Sequence, residues 1–231
     1  IVPCNSIAGY INKKIPVGIG LHDSSSALIP YLTSFHEPFI LLSTGTWCIT
    51  LNPFNHSQLS DYELHHDCLS YLSFQAKSIK RLAAHFKVEV DYYKQVECDV
   101  KLMKRPDELK EYLKKVNNDV MLQQSVFEGR DLRSFKSYEQ AYHQLIADII
   151  VQQYYSTSLV LKGTTVKRIF VDGGFSKNPI FMYMLADLFP EVETFAASVA
   201  QASSLGAALV MHEHWNSEPL PSDIIELKYY S

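Results

Sequence analysis

Three short polar clusters contain the residues best suited to chemistry. The first is His22-Asp23, which ends the glycine-bearing apolar segment 16–21. A carboxylate at the end of a strand lies at the mouth of an open α/β sheet, where ligands usually bind. A helix N-cap, for which aspartate is a common choice, explains Asp23 equally well without any ligand. His22 is expected to pack against or orient its neighbour.

The other two clusters carry glycines beside hydrogen-bond donors. Ser43-Thr44-Gly45-Thr46 joins two apolar segments, and a tight turn of this kind presents N–H groups and hydroxyls that suit phosphate oxygens. Gly173-Gly174 follows a strand-like segment and precedes the helix start Asn178-Pro179. A strand, a glycine pair and a helix commonly admit a nucleotide. Each cluster taken alone also fits an ordinary turn.

The apolar pattern around these clusters predicts an α/β fold, because strands alternate with helices in its clearest part. The first dozen residues read as the remnant of an inter-domain connection. Segments 39–42 and 47–51 are predicted to form a hairpin. Ser137 and Gln140 resemble a capping box that opens a long helix. The other predicted strands cover 16–21, 71–74, 167–172 and 192–195, and the other predicted helices cover 101–115, 178–189 and 199–214.

Composition limits the class of protein. The chain has 231 residues, 47% of them apolar, which excludes a disordered segment. Its net charge of −4 gives no indication of a basic surface that would bind nucleic acid. The sequence contains no run of eighteen apolar residues, which is about the length needed to span a membrane. The 4 cysteines form no CxxC pair, and neither His65-His66-Asp67-Cys68 nor His212-Glu213-His214 has the spacing of a metal site. We therefore expect a cytoplasmic protein without a metal ligand set, and the start at Ile1 suggests a piece of a longer protein.

The clusters in combination resemble a known family. Asp23 after a GxG segment, the STGTW hairpin, the motif DGG-x-SKNP and the later ASSLGAAL are similar in order and spacing to the FGGY carbohydrate kinases. The resemblance covers residues 1–231 and corresponds to the carboxy-terminal domain of that family. The segments HDSSSA and STGTW are most similar to those of the rhamnulokinase and fuculokinase group. The resemblance implies an actin/hexokinase-like (ribonuclease H-like) ATPase domain, with a mixed sheet flanked by helices.

The resemblance also implies a role for individual residues. Asp23 stands where the family has the base for the sugar hydroxyl. Gly206 marks either a close approach to the nucleotide or a packing position between helices. Phe175 departs from the family, which often has a third glycine there, and Ser125–Arg130 poorly replaces a glycine-rich segment. The implied contacts to ATP are made by Thr44, Gly45, Thr46, Gly173, Gly174 and Asn178.

The implied function is ATP- and Mg²⁺-dependent phosphorylation of a ketose or deoxy-ketose by the parent protein. The amino-terminal domain, absent from this sequence, would carry most of the sugar-binding residues and part of the metal ligands. We therefore expect the isolated chain to be inactive. The alternative is a non-catalytic actin-like ATP-binding or assembly module, and a kinase for glycerol or an autoinducer is a further alternative. The expected partners are the sugar and the missing domain, with a homo-oligomer possible and neither nucleic acid nor membrane. All of this requires Asp23 to face Gly173-Gly174 across a crevice with room for a triphosphate.

Overall fold

The computed structural model describes residues 2–44, 48–55, 68–69, 71–115, 126–221 and 223–231, which form a six-stranded mixed sheet flanked by helices and a separate hairpin. The helices are α1 Asp23–Ser34, α2 Tyr71–Phe86, α3 Pro106–Lys115, α4 Tyr138–Leu161, α5 Pro179–Leu188 and α6 Ala202–Val210. The strands are β1 Ile7–Ile11, β2 Ile15–Gly18, β3 Phe39–Thr44, β4 Cys48–Leu51, β5 Cys68–Leu69, β6 Arg168–Gly173, β7 Glu193–Ser198 and β8 Glu226–Tyr230. None of these helices is long and apolar enough to cross a membrane.

The main sheet has the order β5-β4-β3-β6-β7-β8, with parallel pairs β3–β6 and β6–β7 in its centre. The outer pairs are antiparallel, and β3 and β4 form the predicted hairpin, with Leu41 opposite Leu51 and Thr44 opposite Cys48. β3 and β6 end in register, so that Thr44 lies opposite Gly173. Two of the glycine-bearing clusters of the sequence therefore begin side by side at one edge of the sheet.

Side chains of the central strands alternate between two apolar cores. On one face, Ile40 and Val171 pack with α2, α4 and α5. On the other face, Phe39, Leu41 and Phe170 pack with Tyr31 of α1 and with the α6 side of the fold. Phe39 to Leu42 are fully buried, which is why both faces of these strands are apolar in sequence. The α1–α6 layer thus lies on one face of the sheet and the α4–α5 layer on the other, and the edge between them carries the glycine turn.

The long helix is confirmed as α4, which has 24 residues. Its start is capped as the sequence indicated, because the Ser137 hydroxyl accepts the Gln140 N–H and the Gln140 side chain accepts the Lys136 N–H. The helices and strands predicted for the last third are confirmed as β6, α5, β7 and α6, with shifted ends. The helix predicted to run to 214 ends at Val210, and a 3-10 helix, His212–His214, follows.

Three expectations were wrong. Segment 16–21 is no buried core strand, since β2 ends at Gly18, pairs with β1 outside the main sheet and is followed by Ile19, which is 42% exposed. Within the first dozen residues, Ile7–Ile11 form β1, and their role as an inter-domain connection stays a prediction. Residues 71–74 begin α2 instead of a strand, because the apolar pattern continues helically to Ile79 and Leu82, which are buried. The helix predicted over 101–115 begins only at Pro106, where proline is favoured at a first helical position.

Candidate functional site

The glycine turn after β6 is held against the end of β3. The Gly174 N–H donates to the Thr44 carbonyl at 2.9 Å. Gly173 has φ +94°, and a Cβ built there would lie 2.6 Å from the same carbonyl oxygen. Only glycine therefore fits position 173, both for its backbone conformation and for the close approach to β3.

Thr44 fixes the path of this turn. Its hydroxyl donates to the Asp172 carbonyl and accepts the Phe175 N–H at 3.1 Å, and the residue is 1% exposed. The side chain is thus engaged within the protein. A direct contact of Thr44 with ATP stays a prediction, while its part in holding the turn is observed.

A cavity of about 300 Å³ opens on the α1–α6 side of the turn. We call it the Ser203 cavity; its lining includes Ser43, Asp172 and Gly173 from the sheet edge and Ala27 and Ser203 from the two helices. Much of this lining is small or polar. The space is therefore accessible to a polar group that approaches the turn.

A second cavity, of about 450 Å³, opens on the other side of the turn. We call it the Asn178 cavity. It combines aromatic side chains with two lysines and Gly174; these residues are Tyr93, Tyr142, Phe175, Lys94, Lys177 and Gly174 beside Asn178 itself. Because Gly173 lines the Ser203 cavity and Gly174 the Asn178 cavity, the glycine turn separates two spaces of different chemistry.

Asn178 caps α5 at the edge of its cavity. Its side-chain oxygen accepts the Phe181 N–H at 3.2 Å, and its amide donates to the Tyr142 hydroxyl at 3.0 Å. Burial raises the pKa of Tyr142, with a smaller rise from Tyr138, so the Tyr142 hydroxyl stays protonated. The contact of Asn178 with adenine stays a prediction, but its place beside an aromatic wall agrees with it.

Asp23 is the first residue of α1, and its side chain is 79% exposed. A helix therefore begins here, as a cap near Asp23 indicated, and its N-cap residue is His22 rather than Asp23. The Asp23 carboxylate accepts the Ser24 N–H at 2.7 Å and lies 3.0 Å from Nδ1 of His22. The Ser203 hydroxyl donates to the main-chain oxygen of Asp23 at 3.2 Å, which places Asp23 one hydrogen bond from the lining of the Ser203 cavity.

The contact between α1 and α6 settles the interpretation of Gly206. A Cβ at this position would lie 1.8 Å from the Ser26 carbonyl oxygen. The Ser26 hydroxyl donates to the Ser203 carbonyl at 2.6 Å in the same contact. Gly206 is therefore a packing position between helices, and it brings the start of α1 close to the start of α6.

Phe175 turns its ring into the protein core. The residue is 2% exposed, and its ring stacks on Phe181 at a centroid distance of 4.5 Å. The bulky side chain is thus accommodated by the α5 side of the core.

Arg130 forms two hydrogen bonds with the buried Asp148 carboxylate and so takes part in an ion pair within the protein. The remaining singled-out residues, which are Gly45, Thr46, His65, His66, Asp67 and Ser125, lie outside the described residues.

Asp172 opens the DGG motif of the sequence but was given no role of its own, and the walls of the Asn178 cavity were missed. The Asp172 carboxylate accepts the Tyr31 hydroxyl at 3.0 Å and the Gly173 N–H at 2.7 Å. Its position immediately before two glycines was a usable signal. Tyr93 is half-buried in the 3-10 helix Tyr92–Gln95, between α2 and α3, and no spacing in the sequence distinguishes it from the other tyrosines.

We expect Gly173→Ala to destabilise the turn. The positive φ alone costs about 1–2 kcal/mol for a residue with a side chain, and the new methyl group also meets the Thr44 carbonyl. Urea unfolding of the parent protein measures this loss. Gly174→Ala is the matched control, because a Cβ at Gly174 would lie 3.5 Å from the nearest atom, which is ordinary contact. Equal stability of the two variants would contradict the role given to Gly173.

Comparison with known proteins gives a likeness of fold. No family model matches the sequence, and no curated protein matches it. A carbohydrate kinase from Novosphingobium aromaticivorans, of solved structure, matches with a TM-score of 0.57 and 16% sequence identity, over 99% of this chain and 52% of that one. This chain therefore spans about half the length of the kinase that it matches. It has a mixed sheet with flanking helices, the fold of one part of that carbohydrate kinase.

Proposed function

We propose that this chain is the nucleotide-binding half of an ATP-dependent sugar kinase, in which Asp23 is the base. One observation carries the proposal. The Gly173-Gly174 turn lies between an aromatic, lysine-bearing cavity and a polar cavity whose lining is hydrogen-bonded to Asp23. A nucleotide bound along the turn would thus extend from the Asn178 cavity to the Ser203 cavity and so toward Asp23.

The residues present fit ATP. The Asn178 cavity offers the rings of Tyr93 and Tyr142 to a base and the ammonium groups of Lys94 and Lys177 to anionic oxygens. The glycine turn carries no side chain, and Gly173 and Gly174 each line one of the two cavities, so that a phosphate could approach the main chain of the turn. We therefore assign adenine to the Asn178 cavity and the phosphates to the turn. In this assignment, Gly45 and Thr46 complete the phosphate contacts and Thr44 holds the turn.

Asp23 supplies the proton acceptor in the proposed reaction. Its carboxylate lies at the start of α1 and is 79% exposed, so it is open to a substrate hydroxyl. As a sugar hydroxyl attacks the γ-phosphorus in line, the bond from that phosphorus to the bridging oxygen breaks, ADP leaves, and the carboxylate takes the hydroxyl proton. A positioned base of this kind contributes about 10²–10⁴-fold to the rate.

The remaining requirements fall outside this chain. Mg²⁺ supplies charge neutralisation on the transferring phosphoryl group, and it binds chiefly through substrate phosphates and one or two carboxylates. Within the described ranges, no three acidic, histidine or cysteine residues cluster to hold a metal. In this proposal the ion is held by the nucleotide phosphates and by the amino-terminal half. The same half would supply most contacts to a ketose or deoxy-ketose.

The direct test is transfer of the γ-phosphoryl group of ATP to members of a sugar panel by the full-length protein with Mg²⁺. We expect turnover with one ketose or deoxy-ketose above the rate of ATP hydrolysis in water. ATP titrations with and without that sugar distinguish the alternative. Nucleotide binding without sugar-stimulated turnover would support a non-catalytic ATP-binding module and defeat the proposal.

A further inference from the structure

A hydrogen bond between a buried tyrosine and a half-buried aspartate links helix α1 to the glycine turn. The Tyr31 hydroxyl donates to one carboxylate oxygen of Asp172 at 3.0 Å, and the other oxygen accepts the Gly173 N–H at 2.7 Å. Tyr31 belongs to the helix that begins with Asp23, and Asp172 directly precedes the turn. One carboxylate thus connects the element that bears the proposed base to the element that bears the proposed phosphate contacts.

The position of the Tyr31 hydroxyl is fixed by the core. The residue is 0% exposed, and its ring packs beside Phe39 and Phe170 at centroid distances of 6.3 and 5.6 Å. Eight residues of α-helix, about 12 Å at ~1.5 Å per residue, separate Tyr31 from Asp23. Pro30 removes one hydrogen bond of this helix, and the remaining turns keep the path from Tyr31 to Asp23 helical. We therefore expect a displacement at Tyr31 to reach Asp23 along α1.

The contact is costly to build for packing alone. Burial raises the pKa of Asp172, which means that the ionised carboxylate is desolvated, and the hydrogen bonds from Tyr31 and Gly173 and the charge of Lys177 act in the opposite direction. A phenylalanine at position 31 would fill the same space in the core without the hydrogen bond. The hydroxyl therefore adds a directed contact between α1 and the residue that accepts the Gly173 N–H.

We propose that Tyr31 and Asp172 are positioning residues that set the distance and orientation of Asp23 relative to the Gly173-Gly174 turn. The inference rests on the proposed kinase function. It adds a role for Tyr31, which is 0% exposed, and for Asp172, which also lines the Ser203 cavity. Tyr31 acts through α1, and Asp172 acts through the Gly173 N–H.

Kinetics of Tyr31→Phe in the full-length protein test the inference. The variant loses only the hydroxyl, and because a small misplacement of a catalytic group is costly, we expect kcat to fall by about tenfold or more. The KM for ATP should change little, since the turn keeps its bonds to Thr44. Tyr138→Phe is the matched control, because the Tyr138 hydroxyl is buried and has no hydrogen-bond partner among the described residues. The control should keep the full rate.

A second measurement does not depend on turnover. In selectively ¹⁵N-labelled full-length protein, Tyr31→Phe should shift the Gly173 amide, which donates to Asp172, and the Ser24 amide, which donates to Asp23. Loss of the Tyr31 donor should also raise the pKa of Asp172 further, with Tyr31 and Lys177 the titratable groups that act on it. Urea unfolding checks that each variant is folded under the assay conditions.

The outcomes separate the two proposals. An unchanged kcat in Tyr31→Phe overturns the positioning role, and so does an equal loss in Tyr138→Phe. If the unmodified protein phosphorylates no sugar, the proposed function fails, and the amide shifts decide the inference. Shifts at both Gly173 and Ser24 would then support the coupling between α1 and the turn, and an unmoved Ser24 amide would overturn it.

Discussion

Asp23→Asn is expected to abolish sugar phosphorylation by the full-length protein while ATP binding survives. The amide keeps the shape of the side chain and loses its basicity, so kcat should fall by about 10²–10⁴-fold. The proposed nucleotide contacts lie at the glycine turn and in the Asn178 cavity, and the substitution touches neither. The affinity for ATP, measured by calorimetry, should therefore stay close to that of the unmodified protein.

Asp107→Asn is the matched control for this experiment. Asp107 is likewise an exposed aspartate in the first turn of a helix, α3, so it shares the favourable interaction with a helix N-terminus. It lies outside both proposed binding cavities, and its removal should leave kcat unchanged. Full activity of Asp23→Asn would remove Asp23 from the mechanism. An equal loss in Asp107→Asn would show that the effect has no specific connection to the site.

The centre of the fold could be predicted because its signals are local. β3 and β6 are short apolar runs buried on both faces, and α4 has a cap followed by apolar residues at helical spacing. β1 and β8 were missed, since each forms a strand only through its neighbour. β1 is apolar but mostly exposed, and β8 combines polar residues with Leu227 and Tyr229, which are 43% and 55% exposed. The start of α2 was taken for a strand, because a short apolar run does not distinguish the two.

The candidate site divides in the same way. Asp23 and the glycine pair stand out in sequence because a carboxylate after a GxG segment and adjacent glycines are local patterns. The link between Tyr31 and Asp172 joins residues 141 positions apart, and no local pattern indicates it. The direction of the Phe175 ring was equally undetermined, because it depends on the partner Phe181 in a helix that the turn itself positions. Contacts of this kind are set by the assembled layers, not by the segments.

The second large effect is expected from Gly206→Ala. Alanine is the better helix former by about 1 kcal/mol, so propensity alone would stabilise α6. The new Cβ, however, would lie 1.8 Å from the Ser26 carbonyl oxygen, where ordinary contact begins at 3.4 Å. Main-chain atoms of α1 would have to move by more than an ångström. Because a backbone cannot yield as a flexible side chain can, we expect a net loss of about 3 kcal/mol in the free energy of unfolding, at the upper end for overpacking.

The same displacement should reach the proposed base. Separation of α1 from α6 would stretch the hydrogen bonds from Ser26 to Ser203 and from Ser203 to Asp23, and with them the edge of the Ser203 cavity. We therefore expect the fraction of Gly206→Ala that remains folded to lose phosphorylation rate as well. Gly9→Ala is the control, because a Cβ at Gly9 in β1 meets nothing within 4 Å. If Gly206→Ala were as stable and as active as Gly9→Ala, the close contact of α1 with α6 would neither stabilise the fold nor position Asp23. Other contacts would then have to hold Asp23 in place.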